Sequence, residues 1–104
     1  MSARPYVGMI RVSALAHKLG DSVAVAVEDL KKGDTVTVAY LDSSSETTLI
    51  LKSDVPLGHK IALKDIKTGE DVIEYGHVIG YASAEISAGE HVHVHNLKSK
   101  RWSN

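Results

Sequence analysis

A chain of 104 residues with 12 basic and 13 acidic side chains, formal net charge -1, is one domain by size and carries no field that would gather nucleic acid. One Trp, four Tyr and no Phe leave little for bases to stack on. The absence of cysteine excludes disulfides, thiolate metal sites and a cysteine nucleophile.

Residues 1–10 read as a flexible lead-in in which Pro5 disfavours helix just before it, with a short strand predicted over 8–12. Residues 13–19 (SALAHKL) are the one segment with helical character, too short to stand alone in water, and His17 within it is expected in an exposed loop or a polar contact. Residues 22–27 and 35–41 are rich in β-branched side chains at period two and are predicted as strands. A polar loop over 41–46, a strand over 47–52 and a turn over 53–58 containing Pro56 follow. The longest apolar run, VAVAV at 23–27, is too short to cross a bilayer, and the first ten residues lack the charged start and long apolar centre of a secretion signal. A cytoplasmic protein with no membrane partner is expected.

Three segments share one pattern: 29–36 (DLKKGDTV), 65–72 (DIKTGEDV) and 85–92 (EISAGEHV). Each reads acid, branched aliphatic, two variable residues, glycine, acid, any residue, valine. This predicts a recurring corner in which the aliphatic residue plugs the core, glycine takes positive φ and valine opens the next strand facing inward. The acids are expected to solvate or cap the corner, bonding nearby backbone N–H groups, rather than to do chemistry. Residues 11–97 are thus predicted to form a single compact all-β domain, mostly antiparallel, followed by a basic tail over 98–104.

Residues 57–96 hold five of the six histidines and five of the eight glycines, so function is sought there. His91, His93 and His95 alternate with Val92 and Val94, and in an extended strand the imidazoles share one face and the valines the other. The outer imidazoles would then lie about 13 Å apart, too far for one ion, so His91 and His93 are the candidate metal pair, completed by a carboxylate or a partner's residue. His95 and Asn96 are candidates for facing substrate or partner, with strand capping the alternative for Asn96. Upstream, His59 and Lys60 follow a glycine turn. His59 can serve as general base or ligand and Lys60 as a carboxylate anchor, or the two can be a strand-edge pair without a task.

The blocks Gly58-His59-Lys60, Ala62-Leu63-x-Asp65-Ile66, Gly69-Glu70-x-Val72-Ile73-x-Tyr75-Gly76, Ile79-Gly80-x-Ala82 and Gly89-Glu90-His91-Val92-His93-x-His95-Asn96 occur in order. With residues 21–26 upstream, they resemble the amino-terminal domain of the altronate and galactarate dehydratase family over residues 17–97. Tyr75 and Gly76 are expected to be structural, an aromatic plug and a positive-φ turn, and His77 to lie in an exposed turn.

The resemblance implies a SAF-type β-clip and a lyase. In that family a much larger domain follows, so the chain is expected to be a small subunit, as in split altronate dehydratases and sulfolactate sulfo-lyases, or a piece of a longer protein. It implies a large catalytic subunit as partner, a sugar-acid substrate and a divalent metal, iron or manganese, that the large subunit can hold in greater part. Homo-oligomers are compatible with it. A small sulfo-lyase subunit and a non-catalytic SAF-type binding or assembly module are the alternatives. Nothing in the sequence separates altronate, galactarate and sulfolactate as substrates.

Overall fold

The computed structural model describes residues 6–7 and 10–99, with side chains from Arg11 onward. The strand predicted over 8–12 and the lead-in fall partly outside these residues, as does most of the basic tail. Eleven strands are present among the described residues: β1 (Tyr6–Val7), β2 (Ile10–Arg11), β3 (Ala14–Ala16), β4 (Val23–Ala26), β5 (Thr35–Tyr40), β6 (Glu46–Ile50), β7 (Lys60–Ala62), β8 (Asp71–Glu74), β9 (His77–Ala82), β10 (His91–Val92) and β11 (Leu97–Lys98). They form a six-stranded sheet of order β10-β7-β4-β3-β5-β6, a three-stranded sheet β11-β9-β8 and the hairpin β1-β2. Only β3 and β5 run parallel among the described pairs. This is the all-β architecture that the residue pattern predicts, and it agrees with the β-clip that the resemblance implies.

Residues 13–19, the one segment with helical character, form no helix, and Ala14–Ala16 is strand β3. Ala14 and Ala16 are both 0% exposed, and β3 is paired on both sides, to β4 and to β5. Two sheet neighbours outweigh the weak helical preference of so short a segment. Small side chains suit that central position, where one core packs from Ala14, Ala16, Ala24, Ala26, Leu30, Val36, Val38, Leu51, Val55 and Ile61. A second core gathers Val23, Ala62, Ile66, Val72, Ala82, Ile86 and Val92 between the two larger sheets. Adjacent residues of β7, Ile61 and Ala62, serve different cores because successive side chains of a strand point to opposite faces.

The predicted corners form as expected, and there are more of them than the sequence pattern revealed. Leu30, Ile66 and Ile86 are buried, as are Val36, Val72 and Val92. Residues 54–61 (DVPLGHKI) build a further copy, with Val55 and Ile61 buried in the places of the aliphatic residue and the valine. The corners dock in pairs through reciprocal backbone bonds, Leu30 with Val55 and Ile66 with Ile86. In all four, the glycine N–H donates to the carbonyl of a buried residue, and that residue's N–H donates back to the residue after the glycine: Gly33 and Asp34 with Leu51, Gly58 and His59 with Ala26, Gly69 and Glu70 with Ala82, Gly89 and Glu90 with Ala62. The glycines carry φ of 84–92°, a region that side chains with a Cβ rarely adopt.

The hairpin tip between β8 and β9 is fixed by Asp21. Its carboxylate, 5% exposed, accepts the N–H groups of Tyr75 and Gly76 at 3.0 Å each. Tyr75 is not the buried plug expected of it. It is 53% exposed, holds φ of 59° and stacks on His17 at 3.3 Å between ring centroids. His77 lies exposed at the start of β9.

Candidate functional site: an imidazole cluster

The cluster begins with a corner that lacks its acid. In the other copies the acid after the glycine accepts the N–H three residues back: Asp34 from Lys31, Glu70 from Lys67 and Glu90 from Ser87. In the corner at 54–61 the residue three back is Pro56, which has no N–H to donate. A carboxylate would have nothing to bind there, and His59 stands in its place. Its backbone still closes the turn, donating to the Pro56 carbonyl at 3.0 Å, while the ring is free to reach β10.

Strand β10 lies antiparallel to β7, with His91 opposite Ile61 and Val92 opposite Lys60. The His91 N–H is held by Ser53 Oγ at 2.9 Å. His59 Nδ1 and His91 Nε2 are 2.9 Å apart, a hydrogen bond between rings. His93 stacks on His59 at 4.4 Å between centroids, and His95 meets His91 at 5.3 Å. Four imidazoles therefore converge from two segments 32 residues apart at their hydrogen-bonded pair.

The extended strand predicted over 91–95 does not form. β10 ends at Val92, and the N–H groups of Asn96 and Leu97 both donate to the His93 carbonyl, at 3.0 and 2.8 Å. The ladder has no further partner, because the next residue whose backbone would face β10 is Gly58, a turn residue with φ of 84° whose N–H donates to the Ala26 carbonyl. The turn brings His95 back toward His91 instead of carrying it away, so the 13 Å separation expected of a strand is corrected to a ring contact. Val92 is 0% exposed as predicted, whereas Val94 is 69% exposed at the turn.

Asn96 does not face outward. It is 4% exposed, its Oδ1 accepts the His93 N–H and its Nδ2 donates to the His91 carbonyl, both at 2.9 Å. The amide staples the turn that folds His93 and His95 onto the cluster, which is the capping alternative for this residue. Lys60 is not brought to the cluster either. It shares a sheet face with Val92, opposite to that of His91, and its Nζ lies 3.9 Å from Glu74 Oε1. His17 and His77 also stand apart.

His59, His91 and His93 each offer a ring nitrogen, and these nitrogens lie within 4.8 Å of one another. Burial, then the neighbouring rings of His59, His95 and His93, hold the His91 pKa below its ordinary value, which favours the neutral form, the one that can accept a hydrogen bond or ligate. His93 and His95 are exposed, His59 and His91 half-buried. A groove lined by Thr35, Thr48, Leu49, Ile50, Lys52 and Ala88 holds none of these residues. Among the described residues no helix is long and apolar enough to cross a membrane.

Sequence reasoning missed Pro56 as the reason that His59 is available. The signal was present: the corner pattern fits 54–61 once histidine is allowed in the acid's place and isoleucine in the valine's.

A curled all-β unit built on paired glycine corners is a β-clip domain, and this one carries four clustered imidazoles from a corner and an adjoining turn. Residues 12–100 match the family model described as the altronate/galactarate dehydratase SAF domain, and the chain belongs to that family. It is 49% identical over 79 residues to the altronate dehydratase of Escherichia coli, covering 76% of this chain but 15% of that enzyme. It is 38% identical over 92 residues to the (2R)-sulfolactate sulfo-lyase subunit alpha of Chromohalobacter salexigens, covering 88% of this chain and 98% of that subunit. The subunit alpha of the same name from Paracoccus pantotrophus is 48% identical over 59 residues, 57% of this chain and 88% of that one. The relatives are thus lyases or subunits of lyases, some of them one subunit of a multi-subunit enzyme.

Proposed function

We propose that this chain is the small subunit, or amino-terminal domain, of a sugar-acid dehydratase such as altronate dehydratase, acting with a large catalytic subunit in the cytoplasm. The observation that carries this reading is the convergence of His59, His91, His93 and His95 at the surface, with two of the four rings exposed. A sugar acid needs concave volume around it, and an open cluster acquires that volume only when a second surface closes over it.

In the elimination, a base takes the proton from the carbon next to the carboxylate, hydroxide leaves from the following carbon, and the resulting enol becomes a keto acid. His59 is proposed as the base or as a ligand, and His91, His93 and His95 as the groups that face substrate and partner. Iron or manganese, held in greater part by the large subunit, would act as a Lewis acid toward the enediolate and the leaving hydroxyl, and His91 and His93 are the residues of this chain that would hold iron. Lys60, paired with Glu74 on the other sheet face, is assigned no part in this centre.

A second reading, the small subunit of a sulfolactate sulfo-lyase, is favoured by the extent of the match, since the similarity covers 98% and 88% of the two subunits alpha. The proton step is the same there, with sulfite leaving in place of hydroxide.

The test is purification of the chain with its native partner, followed by assays on altronate, galactarate and sulfolactate with iron or manganese. Turnover of one acid by the complex, with none by the isolated chain, is expected. A complex inert on all three acids would make the chain a binding module, and full turnover by the isolated chain would refute the shared site.

A further inference from the structure

The donor set of the cluster says more than that an ion fits. We infer that His59, His91 and His93 form an all-imidazole centre that binds one borderline divalent ion on the isolated chain, in preference to manganese or magnesium. This goes beyond the lyase reading, which does not require the small chain to hold an ion alone.

Three observations carry it. The first is distance. Nitrogens bound at about 2.0–2.1 Å to one ion stand ~2.9 Å apart at right angles and ~3.3 Å apart at tetrahedral angles. His59 Nδ1 and His91 Nε2 are already 2.9 Å apart, and both rings are held by backbone on paired elements. The remaining adjustment falls to the exposed ring of His93, whose nitrogen lies within 4.8 Å of the others.

The second observation is what the rings lack. Among the described residues, the ring nitrogens of His93 and His95 make no hydrogen bond, and the one bond of His59 and His91 is to each other. Half-buried imidazoles such as His59 and His91, if they served only to hold the fold, would pair with carboxylates or carbonyls instead of with each other. The neighbouring carboxylate, Glu90, is already bonded to the Ser87 N–H at 2.6 Å.

The third is donor chemistry. The ligating group contains three imidazoles and no carboxylate. Imidazole suits zinc, iron, cobalt, nickel and copper, whereas manganese and magnesium prefer oxygen, so the set discriminates by ligand type as well as by the ordinary affinity series. A carboxylate or hydroxy-acid ligand can complete the coordination.

Cobalt(II) titration of the untagged, chelator-stripped chain tests this directly. Ligand-field absorption should saturate at one ion per chain and be displaced by zinc, and manganese should compete roughly a hundredfold more weakly or worse. His59→Ala and His93→Ala should each weaken cobalt binding by about tenfold or more, with circular dichroism unchanged, while His17→Ala and His77→Ala should leave it intact. Absence of a saturable cobalt spectrum, survival of binding in the His59 and His93 variants, or equal affinity for manganese overturns the proposal. A chain that binds cobalt as described, in a complex inert on every acid, leaves the centre standing and removes the lyase reading alone.

Discussion

His59 occupies a carboxylate's place in its corner because Pro56, three residues earlier, has no N–H for a carboxylate to accept. In the sibling corners that bond is present at 3.0, 2.6 and 2.6 Å. One residue type removed a structural duty, and a second took up the vacated position. His59→Asp should therefore fold with a melting temperature near that of the parent and lose cobalt binding. The double variant Pro56→Ser, His59→Asp restores donor and acceptor together, and should be more stable than the single variant by roughly 0.5–1 kcal/mol in denaturant titrations.

Asn96 should behave as a positioning residue. Asn96→Ala leaves the part-buried His93 N–H and His91 carbonyl without these partners, at a cost of about 0.5–1.5 kcal/mol for each bond. Because the turn carrying His93 then loosens, cobalt affinity should fall by roughly 10–100-fold, a range typical of residues that orient ligands. Asn96→Asp keeps the acceptor for the His93 N–H and should recover part of both. Equal loss of affinity in the two variants would argue against the staple.

Val92 and Val94 are two residues apart in sequence and opposite in consequence. Val92, 0% exposed, packs in the second core, so Val92→Ala should cost on the order of 1–3 kcal/mol through lost burial and an unfilled cavity. Val94, 69% exposed, should change stability by less than about 0.5 kcal/mol on the same substitution. Paired thermal melts decide it.

The pH dependence of the metal-free chain follows from His91. Its pKa is lowered by burial and by the rings of His59, His95 and His93, so the folded state binds its proton less readily than the unfolded state does. The associated stability is present above the ordinary histidine value of 6.5 and is lost as the pH falls through the lower folded value. The melting temperature should drop on acidification from 6.5 down to that lower value, with no further contribution from His91 beneath it. His91→Gln should flatten this part of the profile, and an unchanged slope in the variant would assign the effect elsewhere.

Much of the fold was legible because the corner is a local device. Acid, aliphatic plug, glycine and inward valine act within eight residues, and Leu30, Ile66, Val72 and Val92 lie where the pattern puts them. The failures are non-local. Residues 13–19 lack a strong strand pattern, and only pairing to β4 and β5 makes Ala14–Ala16 a strand. The alternation at 91–95 is a genuine strand signal, but a strand needs a neighbour, and β7 offers none beyond Lys60. The candidate histidines were legible by type and spacing. Their convergence depends on the Asn96 bonds and on the missing acid at 59, neither of which alternation can express.

The two cores meet in a strand of three residues. Ile61 and Ala62, both 0% exposed, are consecutive along β7 and plug opposite sides of it. Loss of either core withdraws support from the same backbone, so neither half of the molecule can melt while the other persists, and denaturation should be a single cooperative event. The imidazole cluster sits at the end of that shared strand. An ion captured there would raise the threshold for the whole chain to open, and hydrogen exchange at Ala24 and Ala82, in different cores, should slow together when it binds.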